Sequence, residues 1–477
     1  MSFKDSLQLF EEQFFNLFHS LLIHILNHRF SNLFQYIQIN SIWRILMNHD
    51  QWICKSISEL LDVIEKNEVD LETIIDSFYS RIEQSDPDIQ AWQFLISKKE
   101  YLNQYYSNEE FYKNSVLKGL PFAVKDVIDT AGIETRMGSK IHNNRVPNMD
   151  AAVVIAIKKA GGILMGKTVT TEFAFFKSGK TKNPHDPKRT PGGSSSGSAA
   201  AVAAHMTPFA LGTQTAASVI RPAAYCGCMA YVASHSEFSL RNIQPLAQSL
   251  DSLGMFANDF SDLLLMRRII QLRSDLDSKQ MAKENLRVGV YSGDQLGEIE
   301  PEMQYAMKGF MSSVQRESIT FVQLPEDIDI KALADHHYKI MAFEVARNLQ
   351  YEFHTGLMDE YITELIHTGL NMAHADYLEH LQSVEKIKTD YVNWMNKASI
   401  DLTIAPAAPG IAPLGLEKTG QPFMSRPWQV MGLPVTTFPM AHQQNMPLGI
   451  QLVGKFHQDD ELLEHSDYLF KLSQSKG

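Results

Sequence analysis

Three groups of residues in this chain have types and spacings that could do chemistry. Gly161-x4-Gly166-Lys167-Thr168 fits the P-loop pattern, in which backbone N–H groups and a lysine cradle phosphates. Gly193-Ser194-Ser195-Ser196-Gly197 fits the G-x-S-x-G turn, which would make Ser195 a nucleophile lifted above a sheet. The third group is spread out. Lys125 follows the apolar run Pro121-Phe122-Ala123-Val124, and two Gly/Ser/Ala-rich stretches come later, residues 191–201 and 211–224.

Local context weighs against the first two. A P-loop needs a glycine-rich cradle after a strand and before a helix. Here Ile163, Leu164 and Met165 fill the loop positions and read as the strand itself. The G-x-S-x-G elbow needs an apolar strand before it, and Arg189-Thr190-Pro191-Gly192 cannot form a buried central strand. It also needs a later histidine–acid pair, for which no downstream histidine has a recognisable setting.

The elements that must hold such residues read as α/β. Ser56 and Glu59 match a capping box ahead of Ile57, Leu60, Leu61 and Ile64. Asp70 caps a second helix with apolar Leu71, Ile74, Ile75, Phe78 and Ile82. Pro121 to Val124 and Ile163 to Met165 read as strands, Ala151 to Ala160 and Ser198 to His205 as helices. This alternation predicts a mixed sheet between helices. Residues 262–400 are more charged and mostly helical in pattern, and strand-like runs return at Leu402 to Ile404 and Gly449 to Val453.

Bulk composition narrows the function. The chain has 477 residues, 44% hydrophobic and 21% charged, as in ordinary globular proteins. Its net charge of −12 argues against nucleic acid as a main partner. Cys54, Cys226 and Cys228 are too few and too poorly spaced for a disulfide framework or a zinc site, which predicts a reducing, cytoplasmic setting. No uninterrupted apolar run is long enough to span a membrane. The nearest, Phe14 to Leu26, is broken by His19, Ser20 and His24. Residues 1–46 contain no Ala, Gly, Pro, Val or Thr. They read either as a helical, membrane-touching appendage or, preferably, as an over-extended start before Met47. Residues 47–477 read as one domain: an N-terminal helical part (47–115), a core (116–260), a variable part (262–400) and a return to the sheet (401–460).

The third group closely resembles the amidase-signature family. The resemblance runs through Pro191-Gly192-Gly193-Ser194-Ser195-Ser196-Gly197-Ser198-Ala199-Ala200-Ala201 and Leu211-Gly212-Thr213-Gln214-Thr215-Ala216-Ala217-Ser218-Val219-Ile220-Arg221-Pro222. It extends to Gly166-Lys167-Thr168-Val169-Thr170-Thr171-Glu172-Phe173, Ser249-Leu250-Asp251-Ser252-Leu253-Gly254 and Leu448-Gly449-Ile450-Gln451-Leu452-Val453-Gly454, and so covers roughly residues 50–460. Any one motif has a plainer reading. A lone lysine is usually solvated, and serines among glycines usually make turns or helix caps. Those readings do not account for all the elements in family order.

The resemblance implies an α/β amidase-signature fold, a central mixed sheet with helices on both faces. It also implies a cofactor-free and metal-free amide hydrolase acting on a small-molecule amide. An amide has a weak electrophile and a poor leaving group, so it needs an activated nucleophile, an oxyanion cradle and a proton donor. The resemblance assigns attack to Ser218, proton relay to Ser194 (the family's serine with a cis peptide bond) and acid–base work to Lys125. It assigns the oxyanion to the N–H groups of Thr215, Ala216, Ala217 and Ser218. Lys125 must then be buried, with its pKa depressed. Arg221 reads as structural. A homodimer is left open.

The chain departs from the family at several points. Gln214 stands where many relatives carry Asp. The family usually has glycine at one or both of the positions of Ala216 and Ala217. Alanine is common at the first, so Ala217 is the sharper departure, and an alanine at φ > 0 costs about 1–2 kcal/mol. Tyr231-Val232-Ala233-Ser234 replaces a Lys-Pro-Thr stretch. Two alternatives follow: a degenerate binding protein, and the glutaminase component of a tRNA-dependent amidotransferase. Gln214 to Pro222 and Ala407-Ala408-Pro409-Gly410 with Thr419-Gly420-Gln421-Pro422 look more like stand-alone amidases. Pocket walls are expected from residues 130–145, from 262–400 and around Trp428.

Overall fold

The computed structural model describes residues 50–275 and 285–475. The segment 1–46 lies outside them. The two helices with predicted caps begin where those caps place them. In α1 (Ile57–Glu65) the Ser56 hydroxyl and the Glu59 carboxylate cap each other's backbone, and Asp70 caps α2 (Leu71–Ile89) through Thr73 N–H.

Among the described residues, one mixed sheet of eleven strands runs between and beyond the helices. In chain order these are β1 (Trp92–Leu95), β2 (Pro121–Lys125), β3 (Ile163–Thr168), β4 (Phe209–Gln214), β5 (Met229–Val232), β6 (Ser252–Ala257), β7 (Leu286–Val290), β8 (Ile319–Gln323), β9 (Leu402–Pro406), β10 (Val435–Gln443) and β11 (Met446–Val453). Their order across the sheet is β1-β3-β2-β4-β6-β5-β10-β11-β9-β7-β8. β2 pairs parallel with both β3 and β4, and β7 with both β8 and β9, while the remaining pairs are antiparallel. β2, β3, β4, β6, β9 and β11 are buried at every residue. Successive side chains point to opposite faces, so such strands are covered on both sides. The edge strands β1 and β8 are only partly buried. The chain has an α/β fold.

β7 and β8 fall inside the stretch read as mostly helical. Each is five residues long, and β8 is half solvated, so neither has the long apolar run that marks a buried strand.

The middle of the sheet brings the candidate site residues together. Lys125 ends β2 and is in register with Thr168 at the end of β3, and Val124 is in register with Leu211 on β4. Two helices then lie side by side against the sheet: α3 (Ser196–Ala203), entered through the glycine–serine stretch, and α4 (Ile220–Cys226), entered from the end of β4. Their N-termini approach closely. Gly192 has φ +78°, and a Cβ there would lie 2.8 Å from Pro222 Cα in α4, so only glycine fits. Further along, α5 (Ile330–Asn348) packs against α6 (Glu360–Leu370) and α7 (Arg426–Val430). Among the described residues no helix is long and apolar enough to cross a membrane.

Candidate active site

Lys125 is the last residue of β2, and its side chain is fully buried. Its Nζ lies 2.7 Å from Ser194 Oγ, 2.9 Å from Thr213 Oγ1 and 3.4 Å from Thr213 O. Among the described residues it makes no ion pair. Burial disfavours the ammonium and pulls the pKa down to about 7, against the opposing charge of Asp251.

Ser194 follows Gly193 through a cis peptide bond. The Gly193 carbonyl accepts from Arg221 Nη2 at 2.6 Å, and the Ser194 carbonyl accepts from Thr171 N–H at 3.3 Å. The next residue ties this stretch to the other: Ser195 N–H donates to Ser218 O at 3.1 Å. Ser194 and Ser218 thereby reach one small cavity of about 210 Å³, with Thr215, Ala216 and Ala217 on the same wall. Ser218 is only 8% exposed.

The turn between β4 and α4 is held from several sides. Gln214 Oε1 accepts from Val219 N–H (2.9 Å) and Ile220 N–H (3.1 Å), capping α4 directly behind Ser218. Its Nε2 donates to Gln429 Oε1 at 2.9 Å. Thr215 Oγ1 donates to Asp251 Oδ1 at 2.5 Å, and Thr215 O accepts from His337 Nε2 at 2.7 Å. Burial pulls His337 down to about 3, with the Arg426 charge adding to the effect, so its ring is neutral. Among the described residues, no backbone or side-chain group accepts from the N–H groups of Thr215, Ala216, Ala217 or Ser218. Four donors therefore remain beside the cavity. Neither Ala216 nor Ala217 has a positive φ, so alanine fits both positions without strain.

The competing motifs lie elsewhere. Ser195 is fully buried, and its hydroxyl donates to Thr213 O at 3.3 Å, away from the cavity. Gly166-Lys167-Thr168 is part of β3, and Lys167 Nζ donates to Ile128 O (2.6 Å) and Thr135 Oγ1 (2.7 Å). Tyr231 and Ser234, in the replaced Lys-Pro-Thr region, donate to Asp459, which makes that region a structural network.

One expectation about the pocket needs correction. Residues 130–145 do not line this cavity, because they wrap Lys167 and the Asp129–Arg145 pair instead. The wall expected around Trp428 is present: Pro422 and Arg426 line the cavity, while Trp428 itself is fully buried against Tyr291 and Tyr391. The stretch 262–400 does contribute, through Tyr338, Met341, Tyr361, Glu364 and Leu365. Sequence reading missed Thr213 and Asp251 as partners, although both lie in the motif stretches. His337 carries no local signal, since it sits at an ordinary core position of a helix.

The family model for Amidase matches residues 73–463 of the chain. This protein is a member of the amidase family. The amidase is 30% identical over 460 residues to a glutamyl-tRNA(Gln) amidotransferase subunit from Halothermothrix orenii, covering 86% of this chain and 95% of that one. It is 27% identical to the corresponding subunit from a Sulfurihydrogenibium species, covering 86% and 95%. In fold it superposes on the crystal structure of an amidase with a TM-score of 0.78 at 24% identity, covering 87% of this chain and 99% of that one. It superposes on a fatty acid amide hydrolase with a TM-score of 0.80 at 17% identity, covering 90% and 86%.

Proposed function

We propose that this amidase-family hydrolase cleaves the C–N bond of a small linear amide through an acyl-enzyme on Ser218. A neutral Lys125 amine accepts a proton from Ser194 as Ser194 accepts the proton of Ser218, and Ser218 Oγ bonds to the amide carbon. The oxyanion that forms faces the N–H groups of Thr215, Ala216, Ala217 and Ser218. The same proton returns through Ser194 to the nitrogen, and the C–N bond breaks, releasing ammonia or an amine. Water then adds to the ester by the reverse relay, yielding the carboxylate and restoring Ser218.

The observation that carries this reading is the 2.7 Å contact between the buried, carboxylate-free Lys125 amine and the Ser194 hydroxyl. An amine titrating near neutrality can both take and return a proton. No step calls on a cofactor or metal. We assign the work to a single catalytic unit spanning 47–477, in the cytoplasm, consistent with free thiols at Cys54, Cys226 and Cys228.

The test is ammonia release from a panel of simple amides, with a fluorophosphonate probe to mark the reactive serine. Ser218→Ala should lower turnover by roughly 10⁴-fold or more and abolish labelling. A wild-type chain that is neither labelled nor active would instead support the degenerate binding protein.

The amidotransferase relatives favour a second reading, in which the chain is the glutaminase of a larger assembly. Purification from the native cell separates the two. A stoichiometric partner chain that raises glutamine turnover would favour the assembly, and an active free chain or homodimer the stand-alone enzyme.

A further inference from the structure

Two guanidinium groups line the cavity that holds Ser218, and neither has an acidic partner among the described residues. Arg221, in the first turn of α4, is 4% exposed. Its Nη1 donates to Gly420 O (2.8 Å) and its Nη2 to Gly193 O and Thr419 Oγ1, but its Nε is buried without a partner. Arg426, which opens α7, has a buried and unpartnered Nε, and among the described residues its guanidinium makes no hydrogen bond or ion pair. Its Cζ lies 5.6 Å from the centre of the Tyr338 ring.

Other buried arginines of this chain are neutralised. Arg267 pairs with Glu237 and Asp460, and Arg268 with Asp460 and Glu464. The single carboxylate on the cavity wall, Glu364, is exposed and pairs with neither guanidinium. Asp335 acts on Arg426 only at a distance, being solvated and paired with Lys331 at 3.3 Å. The Arg426 charge is felt at Arg221 and at His337. A buried cation without a counter-ion is costly. Arg221 is such a cation, and the half-buried Arg426 adds a second charge to the same cavity. Together they leave a positive site that a bound anion would neutralise, and the guanidinium fork matches a carboxylate.

We propose that the cavity takes a short amide with net negative charge, the monoamide of a dicarboxylic acid, with Arg426 and Nε of Arg221 holding its carboxylate and Ser218 facing the amide carbon. The cavity of about 210 Å³ is smaller than the roughly 300–1,000 Å³ typical for drug-sized ligands. Phe175, Phe176 and Met341 offer apolar surface to the methylenes between the two ends. A substrate with an α-ammonium, such as glutamine, would bring a third cation beside two unpaired ones and is disfavoured. This proposal rests on the hydrolase reading above.

The experiment compares succinamate, butanamide and glutamine with the full-length protein, by ammonia release and by protection of serine labelling. Succinamate should exceed both others in kcat/KM by about 10- to 100-fold, the range for a hydrogen bond to a charged group. In Arg426→Met the succinamate-to-butanamide ratio should collapse to within a few-fold, and Arg426→Lys should keep part of it. If Arg426→Met does not fold, the wild-type ratio decides. If the serine is labelled but no amide is cleaved, succinamate must protect at lower concentration than butanamide. Equal or better performance by butanamide or glutamine overturns the proposal while leaving the hydrolase reading intact. Absence of both labelling and ammonia removes that reading and this proposal with it.

Discussion

Two lysines at the ends of neighbouring strands are both fully buried, yet their surroundings give them different work. Lys125 on β2 meets the hydroxyls of Ser194 and Thr213. Lys167 on β3 meets the Asp126 carboxylate at 3.4 Å, the Ile128 carbonyl and Thr135. Burial lowers both, Lys125 to about 7 and Lys167 to about 8, with Asp126 opposing the shift in Lys167. An ammonium that touches a carboxylate and a carbonyl is held charged and acts as a fastener. An amine that touches hydroxyls can give and take a proton. The partner, more than the burial, separates structure from chemistry.

Exchanging each lysine for methionine, a side chain of similar length without charge, separates the two roles. Lys125→Met should cut kcat by about 10²- to 10⁴-fold, the usual contribution of a general acid–base, and leave the chemical-denaturation midpoint the same or higher, because folding no longer works against the protonation of a buried amine. Lys167→Met strands Asp126 and should lower unfolding free energy by about 3–5 kcal/mol, read by urea titration, while the folded fraction keeps its turnover. Equal loss of activity in both variants would erase the distinction.

The pH profile sharpens it further. The Lys125 amine must be neutral to accept a proton, and its pKa lies near 7. Accordingly kcat/KM should fall about tenfold per unit as pH drops below 7 and level off above it. A flat profile from pH 5 to 8 would remove Lys125 as the base. The smallest effect is expected at Ser195. Ser195→Ala removes one hydrogen bond to Thr213 O, worth about 1 kcal/mol of stability, and should change kcat by no more than a few-fold. A collapse of activity there would restore the G-x-S-x-G nucleophile.

Much of the local architecture was legible because its causes are local. The Ser56–Glu59 box and the Asp70 cap are satisfied within one turn, and continuous apolar runs such as Pro121 to Val124 announce strands buried on both faces. β7 and β8 were not legible, since short strands near a sheet edge have no period long enough to register. Gln214 marks the boundary between the two cases. Its departure from the family's Asp was visible, but its role as cap of α4 and partner of Gln429 depends on a residue far along the chain.

Sequence alone determined which reactive groups exist, in what order, and which strand or turn carries each. A lysine at a strand end, a glycine–serine stretch and a serine ahead of a helix are properties of neighbours along the chain. Tertiary structure decided that the Lys125 amine meets Ser194 and Thr213 and that Lys167 meets Asp126. It also set the unpaired Arg221 and Arg426 against one cavity. Burial, contact and the pKa that follows from them depend on segments brought together by packing, and no local pattern encodes which distant residue arrives.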